Sequence, residues 1–144
     1  MIFVKERFIP IVNRKMCTKP HGGLWASDVK SDNTWKQYCL EEEYHVNRLS
    51  KSFRFQLDKS SKIIQLTNTK DLKQLPRQTV PKDHIDVLDE EEMWVCLDFE
   101  QLLKNGIDAV QLNLSIGNYE LCYKLYGWDC DSILIMNPDI IKPV

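Results

Sequence analysis

The chain has 144 residues, 43% of them hydrophobic and 28% charged, which suits one globular domain and leaves too little material for two independent cores. Its formal net charge of -2 excludes a broad basic field that would draw the whole protein onto nucleic acid, though not a local patch. The five cysteines, at 17, 39, 96, 122 and 130, form no C-x-x-C pair, and the three histidines are widely spaced. A disulfide scaffold, a zinc finger and a metal centre are therefore not expected.

The N-terminal run MIFVKERFIPIV is apolar but broken by Lys5, Glu6 and Arg7, so it lacks both a signal-peptide core and the ~20 apolar residues of a membrane span. A cytoplasmic protein with no membrane contact is expected. Residues 7 to 13 read as an extended edge strand, because Pro10 bars a helix interior and β-branched residues flank it. Asn13 opens a polar loop that leads to Gly22 and Gly23, and Leu24 to Ser27 reads as a short strand. With Ser31 or Asp32 as N-cap, a long helix is expected from Asn33 to about Leu49, with Trp35, Cys39, Val46 and Leu49 near one face and Glu41 to Glu43 on the wet one.

The hydrophobic period then drops to two. Phe53, Phe55 and Leu57 alternate with polar residues, and Ile63 to Leu66 follows the polar Asp58 to Ser61 turn, so an antiparallel hairpin is the simplest expectation. Asn68 or Thr69 can cap a short helix over Asp71 to Leu75 that Pro76 stops. Residues 76 to 91, with two prolines and the start of the acidic run Asp89 to Glu92, read as a solvated surface loop. Trp94 to Leu97 is expected to be extended and to enter a helix over Phe99 to Lys104, capped by Asp98 and ended by Asn105-Gly106. A strand from Asp108 to Leu114 and a helix over Tyr119 to Tyr126 come next. Ser132 to Met136 is a continuous apolar run, the mark of a central strand buried on both faces. The class is α+β: one compact domain of six or seven short strands.

Common catalytic signatures are absent, including the P-loop, G-x-G-x-x-G, G-x-S-x-G and H-E-x-x-H. A cysteine hydrolase pairing Cys39 or Cys17 with His84 finds no support in the spacing. Two stretches remain, Lys19 to Cys39 and Tyr126 to Ile141. By residue type alone the glycines are a turn, Trp25 and Trp35 are core, Lys19 is a surface lysine, and Asp129 and Asp131 are turn residues. In combination they offer more: a glycine pair beside an aromatic strand can cradle a flat ring or a pyrophosphate, Ser27 can orient a ribose, and a carboxylate entering a buried strand sits where a cleft begins.

F-x-P-I-x-N, then KP-x-GGLWAS, a helix opening W-K-x-Y-C, GIDAV, and WDCDSILIMNPDII together resemble small bacterial and phage domains related to the ADP-ribosyltransferases. The likeness covers nearly the whole chain, with residues 58 to 92 least matched. It implies a mainly antiparallel split sheet with a long helix after strand 2, closing around NAD as substrate. It further implies nicotinamide release and transfer of ADP-ribose to a macromolecular acceptor, either protein or nucleic acid, as in toxins of that superfamily. Carried over by position, Asn13 and Lys19 would hold the adenosine-side ribose, Gly23, Leu24, Trp25 and Ser27 would form the second-strand platform, and Trp35 would close the nicotinamide pocket. The superfamily's late-strand glutamate has no counterpart here; Asp131, Ser132 and Asp129 stand at that position. That departure keeps an alternative open, a catalytically degenerate nucleotide- or protein-binding module such as a phage or toxin-antitoxin interaction protein.

Overall fold

A computed structural model describes residues 7–50, 52–78, 94–113 and 119–144. A four-stranded mixed sheet carries the domain. Its strands are β1 (Leu24–Ala26), β3 (Ile63–Leu66), β4 (Ala109–Leu112) and β5 (Ser132–Ile135), in the spatial order β1-β5-β4-β3. β5 runs antiparallel to both β1 and β4, while β3 is parallel to β4. A second, two-stranded antiparallel sheet joins β2 (Phe55–Leu57) to β6 (Ile141–Pro143). The fold is thus a small α+β domain, and the apolar run at Ser132–Ile135 is indeed a wholly buried strand inside the main sheet.

Four helices accompany the strands among the described residues: α1 (Trp35–Glu41), α2 (Lys70–Lys73), α3 (Phe99–Lys104) and α4 (Tyr119–Lys124). α3 matches its sequence signals closely. The Asp98 carboxylate accepts from the Gln101 amide at 3.0 Å, and the helix ends at Asn105 before Gly106 at φ 85°. In α2 the cap is composite: Asn68 Oδ1 accepts from the Lys70 amide, and the Asp71 carboxylate turns back to accept from the amides of Thr67 and Asn68. Those amide bonds, led by the one from Thr67, hold the Asp71 carboxyl below its usual range.

The structure departs from the sequence expectation at three places. The long helix does not form: α1 ends at Glu41, Glu43 and His45 take positive φ of 51° and 48°, and Val46–Arg48 is a separate 3-10 turn. Glu41, Glu42 and Glu43 stack negative charge at the carbonyl end of the helix, where the dipole opposes it. The cap is Thr34, whose Oγ1 accepts from the Gln37 amide, rather than Ser31 or Asp32. Second, β2 and β3 are not a hairpin. The Asp58 amide donates to the Ile140 carbonyl, extending the β2–β6 ladder, and the chain turns at Asp58 to Ser61 into the other sheet, where the Asp108 amide donates to the Lys62 carbonyl. Third, residues 7 to 13 hold no regular strand; only Val12 bridges His21, and Gly23 donates to Ile9. The acidic run Asp89 to Glu92 lies outside the described residues, as does most of the loop assigned to 76 to 91.

Side-chain alternation on the strands divides the interior in two. Leu134, Val110, Leu112 and Leu66 face a large core built on Trp128, Phe99 and Leu121. Ile133, Ile135 and Ala109 face the opposite way, onto Ile140 and Ile141 and, less deeply, onto Phe55 and Leu57 of the small sheet. The first core is closed, and the second layer covers only part of its face. No helix among the described residues is long and apolar enough to cross a membrane.

Candidate functional site

The two stretches singled out in the sequence are neighbours. β1 lies on β5 in the register Leu24↔Ile135, Trp25↔Leu134 and Ala26↔Ile133. Several of the candidate residues are nevertheless consumed by the fold. Asn13 staples the N-terminal segment to α3: its amide nitrogen donates to Asp98 at 2.7 Å and its Oδ1 accepts from the Phe99 amide at 2.9 Å. A Cβ on Gly22 would meet the Pro10 carbonyl at 2.2 Å, and one on Gly23 would meet Leu134 Cδ1 at 2.7 Å, so this glycine pair exists for close packing at positive φ. Trp25 points its ring into the large core, edge-on to Trp128 with centroids 4.8 Å apart, and the Lys19 ammonium stands 5.1 Å from the Trp25 centroid.

At the open end of the β1–β5 ladder a polar clamp forms. The Asp131 amide donates to the Asn33 carbonyl, the Ser31 hydroxyl donates to the Asp131 carboxylate at 2.8 Å, and the Ser27 hydroxyl donates to the Asp131 carbonyl at 3.2 Å. Ser27 Oγ also accepts from the Trp35 amide at 3.0 Å. The loop entering α1 is thereby tied to the start of β5, and Trp35 is placed by it. Asp131 is only 6% exposed, and the Ser132 hydroxyl is spent on the Cys130 carbonyl. Asp129 is exposed on the α1 side, where its negative charge is the main reason the Tyr38 phenol is pushed up. Tyr38 in turn stacks on Trp35 at 5.4 Å and 19°. Burial, with help from the Asp129 charge, raises the Cys130 thiol to about 11, which keeps it protonated and inert.

The cleft opens on the other face of the ladder, with a volume of about 680 Å³. Its floor follows from the register. Ala26, Ile133 and Gln111 stand side by side on β1, β5 and β4, so an apolar bed ends in an amide about 10 Å away across two strand spacings. Gln111 is steadied by Gln65, which donates to its Oε1 at 2.8 Å. Trp35, Phe53 and Phe55 supply aromatic walls. Lys36, Arg48 and Arg54 bring positive charge, His45 adds an imidazole, and Asp28 is the one carboxylate lining the cleft among the described residues. Bed, rings and cations together suit a flat ring joined to an anionic group, and two arginines offer the planar forks that match phosphate oxygens.

Of the residues proposed from sequence, Leu24, Trp25, Ser27 and Trp35 line this cleft, Trp25 while its ring is packed into the opposite core. Asn13, Lys19, Gly23, Asp129, Asp131 and Ser132 do not line it. The cations and Phe53 were not among the sequence candidates. Their signal was present in Ser52-Phe53-Arg54-Phe55, where charge interleaves with aromatics, but the same alternation reads first as a half-buried strand. Comparisons of the chain with protein-family models, with curated proteins and with solved structures gave no match.

Proposed function

We propose that the cleft binds a nucleotide-type ligand, with NAD as the first candidate, and that the chain acts as a binding module of ADP-ribosyltransferase-like design. The observation that carries this reading is the composition of one cavity, which among the described residues has an apolar bed, three aromatic walls, and three cations against a single carboxylate. A base or nicotinamide ring would lie on Ala26 and Ile133 with Trp35 at its side. Arg48, Arg54 and Lys36 would neutralise the pyrophosphate, each charge-assisted hydrogen bond contributing about 1.5–3 kcal/mol. Binding rather than turnover is favoured because the acidic end assigned from sequence, Asp129 with Asp131 and Ser132, lies off the cleft lining.

Titration with NAD tests this. Only the native state has the cleft, so NAD at about a hundred times its Kd should stabilise the protein by about 2.7 kcal/mol. Arg48→Ala with Arg54→Ala should abolish the rise in Tm while leaving the ligand-free Tm nearly unchanged, since both side chains are exposed. An unchanged Tm for wild type at millimolar NAD and mononucleotide would remove the proposal.

A second reading, transfer of ADP-ribose, has one observation in its favour: the Ser27 hydroxyl lines the cleft and also bonds the Asp131 carbonyl, so the acidic end adjoins the cleft rim. In that reaction the bond between nicotinamide and ribose breaks, nicotinamide leaves with its electrons, and an acceptor or water attacks the ribose carbon. Nicotinamide release that is lost in Asp131→Asn would support transfer; NAD bound without any release would leave the binding module alone.

A further inference from the structure

The cleft is not sealed around a single small ligand. Trp35 is 40% exposed and Phe53 is 53% exposed, although Trp35 is stacked by Tyr38 and met nearly at a right angle by Tyr44 at 6.0 Å, and Phe53 is flanked by the tilted ring of Phe55. Half-exposed aromatic rings grouped at the lip of a cleft form the kind of contiguous apolar surface that marks a binding site. The rings are interleaved with charge along the chain: Lys36 follows Trp35, and Arg54 sits between Phe53 and Phe55. Among the described residues the cleft lining holds three cations against one carboxylate in a protein whose overall formal charge is -2, so its local balance is opposite in sign to that of the whole chain.

Resting on the nucleotide reading of the cleft, we infer that its natural occupant is a short single strand of nucleic acid, with bases stacked on Trp35 and Phe53 and the backbone held by Lys36, Arg48 and Arg54. Exposed ring faces alternating with cations are what a single strand needs, because every base offers a π-face and every linkage a charge. A free nucleotide would fill the bed of Ala26 and Ile133 but leave the outer face of Phe53 bare. Paired bases would be no fit, since their faces are already stacked on one another.

The test is fluorescence anisotropy with labelled single-stranded RNA and DNA of about six nucleotides, a duplex of the same sequence, and competition by unlabelled mononucleotide and by poly-glutamate. The single strand should bind at least about tenfold more tightly than the mononucleotide and the duplex, the outer base adding its own stacking energy. Preference between the RNA and DNA arms identifies the source. The salt dependence should have a slope near about -2, from roughly -0.7 for each of three cation contacts, and Arg54→Ala should flatten it by about 0.7. Phe53→Ala should cost the single strand roughly 5- to 150-fold and cost the mononucleotide clearly less, since a single base rests chiefly on the bed of Ala26 and Ile133. Equal affinity for single strand and mononucleotide would overturn the inference and leave the free-nucleotide reading standing. Equal competition by poly-glutamate would overturn it in favour of an acidic protein segment, and no binding of any nucleotide would sink both readings together.

Discussion

The two faces of the β1–β5 ladder are made by the same few residues and behave oppositely. On one face Trp25 and Leu134 enter a closed core with Trp128, whose indole N–H donates to the Thr18 carbonyl at 3.0 Å. On the other face Ala26 and Ile133 form the floor of an open cleft. One step along a strand moves a side chain from stability to function, because successive residues point to opposite sides of a sheet. The small β2–β6 sheet is too short to cover the second face, and the uncovered part is the cleft.

Neighbouring substitutions on β5 probe this contrast most strongly. Leu134→Ala should cost about 3–4 kcal/mol in urea unfolding, since the side chain is fully buried in the closed core. Ile133→Ala should cost nearer about 2 kcal/mol, because at 7% exposure its side chain borders the cleft instead of being enclosed on all sides like Leu134, yet it should weaken nucleotide binding. Equal losses of stability with no loss of binding would break the distinction between the faces.

The clamp at Asp131 sharpens the same comparison at a smaller scale. Asp131→Asn keeps an oxygen for the Ser31 hydroxyl and should leave nucleotide affinity within about twofold. Asp131→Leu leaves that hydroxyl without its acceptor, loosens the Ser31 end of a loop that the residue-131 backbone still ties through Asn33 and Ser27, and should weaken both stability and binding by about 1–2 kcal/mol. A positioning role predicts that the asparagine variant rescues both properties. Loss of binding in both variants would assign the Asp131 charge itself to the ligand.

The smallest effect belongs to the closed face alone. Leu72 of α2 is buried in the large core, and the neighbouring Asp71 carboxyl is held below its ordinary value by the Thr67 and Asn68 amides. A carboxyl depressed in the folded state contributes stability above its unfolded pKa, and that contribution is lost as pH falls through the folded value. Asp71→Asn should therefore lower Tm slightly at neutral pH, and the difference from wild type should vanish under acid conditions. A difference that persists at low pH would place the effect in packing rather than in ionisation.

Much of the fold was legible from local signals. α3 carried its own cap in Asp98 and its own stop in Asn105-Gly106, and the apolar run Ser132 to Ile135 announced a strand buried on both faces. Long-range choices were not legible. The pairing of β2 with β6 joins segments more than eighty residues apart, and nothing around the Asp58 to Ser61 turn marks it as a crossing between sheets. The end of α1 was readable in principle from three consecutive glutamates at a carbonyl end, but the hydrophobic spacing of Val46 and Leu49 argued for continuation. The site divided in the same way. Composition singled out the two stretches, but their adjacency as β1 and β5 came only with the fold, and so did the face used, because the cations reach the cleft from α1, from the 3-10 turn and from the approach to β2, three segments with no shared pattern.

The central claim is that ligand binds on the Ile133 face and not among the residues around Trp25. With four tryptophans in the chain, indole N–H resonances in a heteronuclear NMR titration with NAD or a short oligonucleotide report it directly. The Trp35 indole should shift progressively and saturate, while Trp25 and Trp128, packed edge to face in the closed core, should stay in place. Saturable shifts at Trp25 and Trp128 with Trp35 unmoved would contradict the account and return the site to the opposite face of the sheet.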